Sequence, residues 1–113
     1  MADALDFTEK QSVLIVDDAV ETRDTLRRLL GLEAGIRVVG VAPNGEDAIR
    51  MAGELSPDVI LMDVQLAGPM NGIEAAVAIR REFPRLPVVF YSIQDDDTYY
   101  RDFRRSGILS HYA

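Results

Sequence analysis

The chain has 113 residues, nineteen of them acidic and twelve basic, for a formal net charge of -7. That length fits one domain, and a net-acidic domain lacks the positive field that binding DNA, RNA or an anionic membrane requires. With no cysteine and a single histidine, His111, it excludes disulfide scaffolds, thiolate zinc sites, cysteine nucleophiles and multi-histidine metal sites.

The first ten residues carry Asp3, Asp6 and Glu9, with neither a basic start nor an apolar stretch, so they do not read as a signal peptide. We expect a tail over residues 1–11 and one domain over residues 12–113. Ser12 to Val16 reads as a buried strand. Val20, Leu26, Leu29 and Leu30, interleaved with Arg23, Arg27 and Arg28, predict an amphipathic helix ending near Gly31 or Gly35. Ile36 to Val41 is the second strand. Pro43-Asn44-Gly45 is a turn in which Asn44 can cap a helix carrying Ala48, Ile49, Ala52 and Leu55 on its inner face. Ser56-Pro57 stops that helix.

Asp58 to Met62 is the third strand, apolar on both faces as central parallel strands are. A loop from Val64 to Met70 follows Asp63. Asn71-x-x-Glu74 is a variant capping box, and its helix carries Ile73, Ala76, Val77 and Phe83 before stopping at Pro84. Leu86 to Tyr91 is the fourth strand. Asp95, Asp96 and Asp97 suit the dipole at the start of a fourth helix, which carries Tyr99, Tyr100 and Phe103 and ends near Gly107. Ile108 to Ala113 can begin another strand. The longest apolar runs, Val13–Val16 and Val59–Met62, are far short of the roughly 20 residues of a membrane span, and we expect a cytoplasmic protein.

Alternating strands and helices imply an α/β fold with a parallel sheet and helices on both faces. Ligands of such sheets bind beyond the carboxyl ends of the strands. There the sequence places Asp17 and Asp18 after strand one, Asp63 after strand three and Ser92 after strand four. Each acid has an ordinary reading, with Asp18 as a helix cap and Asp63 as the start of a turn. Three neighbouring aspartates instead call for protonation of one or for a divalent cation. Mg²⁺ prefers oxygen ligands, and a carboxylate beside it can act as a nucleophile toward a phosphoryl group.

At these residues the sequence resembles the response-regulator receiver domains of two-component signalling. The matching segments are Val13-Leu14-Ile15-Val16-Asp17-Asp18, Pro57-Asp58-Val59-Ile60-Leu61-Met62-Asp63, Met70-Asn71-Gly72, Val88-Val89-Phe90-Tyr91-Ser92 and Ser106-Gly107. The resemblance implies a flavodoxin-like doubly wound sheet of strand order 2-1-3-4-5, with the fifth strand and helix incomplete or absent here. It implies Asp63 as phosphoacceptor, Mg²⁺ held by Asp17, Asp18, Asp63 and the backbone carbonyl of Gln65, and Ser92 as the hydroxyl that binds the phosphoryl group and switches the domain. The implied partners are a histidine kinase or histidine phosphotransfer protein, with a homodimer or an effector domain as further options. Its enzymology would be limited to its own phosphorylation and dephosphorylation.

Three features depart from the family pattern. Ala67 stands where a proline is usual, in a loop one residue longer than the common form. Ile93 follows Ser92 where a small residue is common; with the uncharged Gln65 and Gln94 it leads us to expect slow phosphoryl turnover. The one lysine, Lys10, precedes the first strand, whereas the family's lysine would fall at or just past Ala113, so we expect a receiver cut short of it. Two other readings remain: an interaction module with this fold that is not phosphorylated, and a Mg²⁺-dependent phosphohydrolase using Asp63.

Overall fold

The computed structural model describes residues 10–91. Strands β1 (Gln11–Val16), β2 (Ile36–Ala42), β3 (Val59–Asp63) and β4 (Val88–Tyr91) alternate with helices α1 (Val20–Gly31), α2 (Gly45–Leu55) and α3 (Gly72–Glu82). All strand pairs are parallel, and the order is β2-β1-β3-β4. This is the flavodoxin-like arrangement. The expected fourth helix, fifth strand, Ser92, Ile93, Gln94 and His111, with the tail up to residue 9, lie outside the described residues.

Given this order, crossover handedness sets which face each helix covers. From β1 through α1 the chain steps to one side of β1, and from β2 through α2 it steps back across to β3. Right-handed crossovers therefore put α1 and α2 on opposite faces. The step from β3 to β4 continues in the second direction, so α3 joins α2. These two helices pack over the face formed by Leu14, Val16, Ile60 and Met62, with Ala48, Ala52, Ala75, Ala76 and Ile79 as their buried positions. Val13 and Ile15, the alternate residues of β1, are buried on the face toward α1.

Local chemistry sets the helix ends. The Asn44 side chain accepts from Asp47 N–H at 2.7 Å. Asn71 accepts from Glu74 N–H at 2.8 Å while Glu74 accepts from Asn71 N–H at 3.0 Å, a complete capping box. Ser56 ends α2 in the left-handed region, with φ 47°, and Pro57 follows.

Several sequence expectations need adjustment. Strand three begins at Val59, because Asp58 turns instead to Ser12. Its carboxylate accepts from Ser12 N–H at 2.8 Å and from Ser12 Oγ at 3.0 Å, and its own N–H donates to that Oγ at 2.9 Å. Strand four begins at Val88, since Leu86 N–H is drawn into a turn on Phe83. In α3 the buried face runs through Ala75, Ala76 and Ile79, one step round from Val77, which is 42% exposed. No residue of α1 is fully buried, and its Val20 and Leu29 are 59% and 56% exposed.

Candidate functional site

The order β2-β1-β3-β4 creates a crevice. The connection from β1 leaves toward β2 and that from β3 leaves toward β4, so the two loops part above the sheet between adjacent strands. Such switch points are where open parallel sheets bind ligands. Asp17 and Asp18 follow β1, and Asp63 is the last residue of β3. One carboxylate oxygen from each lies within 4.8 Å of the others. The expected grouping of these three acids is thus present.

Each acid sits differently. Asp17 is 2% exposed, Asp63 is half-buried and Asp18 is exposed. Asp17 Oδ1 accepts from Ala19 N–H at 2.7 Å, Asp63 Oδ1 from Gln65 N–H at 3.0 Å, and Asp18 Oδ2 from Ala67 N–H at 3.3 Å. The Asp63 bond is the turn expected there, and Asp17 makes an Asx turn of the same kind. Asp18 does not cap α1. The N-cap is Ala19, which has no side-chain oxygen, and Asp18 instead ties the loop after β3 to the loop after β1.

Burial pushes the Asp63 carboxyl above the ordinary carboxylate range. The Gln65 N–H opposes that shift, and the charges of Asp17 and Asp18 add to it. The ion pairs described among these residues join Arg50 to Asp47 and Glu54 on α2, away from the cluster. Among the described residues, Arg23 reaches the Asp17 backbone carbonyl, at 3.3 Å, and not a carboxylate. Lys10 precedes β1, at the amino end of the sheet and so the opposite end from the site. Hard oxygen donors that repel one another, with no ammonium between them among the described residues, suit a divalent cation, so the cluster could bind a metal.

The loop after Asp63 is held by its apolar residues. Val64 and Leu66 are buried, continuing the alternation of β3 and leaving Gln65 and Ala67 on the rim side. Gly72 packs against the Asp63 backbone so closely that a Cβ there would lie 2.1 Å from the Asp63 carbonyl oxygen. Glycine is the one residue that permits that approach, a reason for the Asn71-Gly72 pair that the sequence alone does not give.

The sequence reading also missed Tyr91. Its hydroxyl donates a hydrogen bond to Asp17 Oδ2. Burial, followed by that bond and by the charges of Asp17, Asp63 and Asp18, drives the phenol far above its ordinary range, so it stays protonated and acts as a donor. Its only sequence signal is its place as the last residue of β4, at the same rim as the acids.

Comparison with known proteins agrees with this geometry. Residues 13–111 match the response regulator receiver domain model. The chain belongs to that family. It is 38% identical over 95 residues to the response regulator GacA of Pseudomonas aeruginosa, covering 84% of this chain and 44% of that protein. It is 44% identical over 89 residues to the transcriptional regulatory protein LiaR of Bacillus subtilis, covering 77% and 42%. The chain thus spans less than half the length of these relatives. Among solved structures it resembles the receiver domain of the putative response regulator NarL from Mycobacterium tuberculosis, with TM-score 0.73 and 28% identity over 91% of this chain and 93% of that one. The response regulator domain of Thermotoga maritima CheB is similar at TM-score 0.72 and 30% identity, over 88% and 75%. No described helix is long and apolar enough to cross a membrane.

Proposed function

We propose that this receiver domain accepts a phosphoryl group on Asp63 from a histidine kinase or a histidine phosphotransfer protein. The observation that carries the reading is the convergence of Asp17, Asp18 and Asp63 at the switch point of the sheet. Asp17, Asp18, Asp63 and the carbonyl of Gln65 would hold Mg²⁺, whose charge would offset that of the incoming phosphoryl oxygens.

An Asp63 carboxylate oxygen attacks the phosphorus of the donor phosphohistidine. The P–N bond breaks, the electron pair leaves with the imidazole, and an acyl phosphate forms. The hydrogen bond from Gln65 N–H orients Asp63 for that attack. Asp18, tied to Ala67, holds the two loops at the separation the site requires. Ser92, directly after Tyr91, would bind a phosphoryl oxygen and couple occupancy to conformation, with Ile93 slowing turnover. Effector output, dimerisation and a cytoplasmic location belong to the same proposal.

Incubation of the chain with Mg²⁺ and acetyl phosphate, followed by intact-mass measurement, tests it. The expected result is the gain of one phosphoryl group, dependent on Mg²⁺ and lost in Asp63→Asn. An unchanged mass across a Mg²⁺ series overturns the reading in favour of an unphosphorylated interaction module, and a gain that persists in Asp63→Asn moves the acceptor elsewhere.

A further inference from the structure

We infer that Tyr91 is a positioning residue for the cation site, its hydroxyl holding the buried Asp17 carboxylate in the orientation that serves that site. The inference rests on the metal-binding reading above and adds to it a residue on a different strand.

The three acids are not held alike. Asp18 and Asp63 each take a backbone N–H on one described oxygen. Asp17, the most buried of them, is held at both: Ala19 N–H donates to Oδ1 and the Tyr91 hydroxyl to Oδ2. One contact leaves a carboxylate free to turn about the bond to its β carbon, whereas a second on the other oxygen fixes its plane. The first donor is two residues along the same loop. The second comes from β4, with β3 lying between it and β1. Tyr91 is the register partner of Asp63, so its side chain rises beside Asp63 and reaches past that strand to Asp17.

The hydroxyl does not exclude a cation. A carboxylate oxygen has two acceptor positions, so Oδ2 can keep the phenol and still face a metal ion or its bound water. Groups that hydrogen-bond a metal-ligating side chain commonly contribute to affinity through orientation.

Calorimetric titration of the chain with Mg²⁺ tests the inference through binding alone. Tyr91→Phe keeps the ring and removes the donor, and we expect Mg²⁺ affinity to fall by about tenfold. In an Asp17→Ala background the same substitution should change affinity by less than about twofold, since the partner is already gone. Unchanged or tighter binding in Tyr91→Phe overturns the inference, as does an equal loss in both backgrounds, which would mark a structural role. If the unaltered chain binds no Mg²⁺, or Asp18→Asn leaves its binding intact, the metal site itself fails. A further readout needs no variant. The ring Cζ resonance of Tyr91 should move along the Mg²⁺ titration with the calorimetric midpoint, and a stationary resonance overturns the inference.

Discussion

Replacing Gly72 with alanine should disturb the fold and the site together. Gly72 is the first residue of α3 and is buried. Its missing Cβ would lie 2.1 Å from the Asp63 carbonyl oxygen, 3.0 Å from the Asp63 carbonyl carbon and 3.1 Å from the Val64 Cα. All three are backbone atoms, so no side chain can swing away. The shortest contact falls more than 1 Å short of ordinary contact, which begins near 3.4 Å. The start of α3 must move, or the end of β3 must. Overpacking of this kind costs about 1–3 kcal/mol. In a domain of this size that lowers the melting temperature by roughly 5–20 °C. Thermal unfolding followed by circular dichroism measures it, with Gly31→Ala as control. Gly31 ends α1 with nothing within 4 Å of its added Cβ, so that change should be neutral or stabilising by up to about 1 kcal/mol. If Gly72→Ala melts within about 2 °C of the unaltered chain, the argument from close approach is refuted.

Other outcomes follow from the same structure. Asn71→Ala removes one half of the capping box of α3 and should cost about 1 kcal/mol in chemical denaturation; no change in midpoint would show that the cap is dispensable. Asp63→Asn should raise the melting temperature of the metal-free chain at neutral pH, because it removes an ionised carboxylate disfavoured by burial and by Asp17 and Asp18; a fall would contradict that repulsion. Asp58 is held below its ordinary value of 3.8 by donors from the Ser12 backbone and hydroxyl. A depressed carboxyl contributes stability that is full above the unfolded value and is lost as pH falls through the folded one. Below about pH 4, melting temperatures should therefore decline less steeply in Asp58→Asn than in the unaltered chain, and parallel profiles would refute the assignment.

Much of the fold is legible from short-range pattern. The β-branched runs at Val13–Val16 and Val59–Met62 mark central strands because both of their faces meet apolar groups. Asn44 and Asn71 mark helix starts because a cap is satisfied by N–H groups two or three residues away. The errors arise where a partner distant in sequence competes. Asp58 leaves its strand for Ser12, and which apolar residues of α3 turn inward, Ala75 and Ile79 and not Val77, rests on where α2 lies.

The candidate site divides in the same way. The sequence alone places Asp17, Asp18 and Asp63 at strand ends, since alternation and chain order determine which end of a parallel strand each residue occupies. It leaves open how far apart they lie and how each is held. Tertiary structure decides both. The order β2-β1-β3-β4 makes β1 and β3 neighbours and brings the three carboxylates within 4.8 Å. It buries Asp17 while leaving Asp18 in water, brings Tyr91 across β3 to Asp17, and presses α3 onto the Asp63 backbone at Gly72. These contacts join residues far apart in the chain, and no local periodicity encodes them; they exist only once the crossovers have set which strands lie side by side.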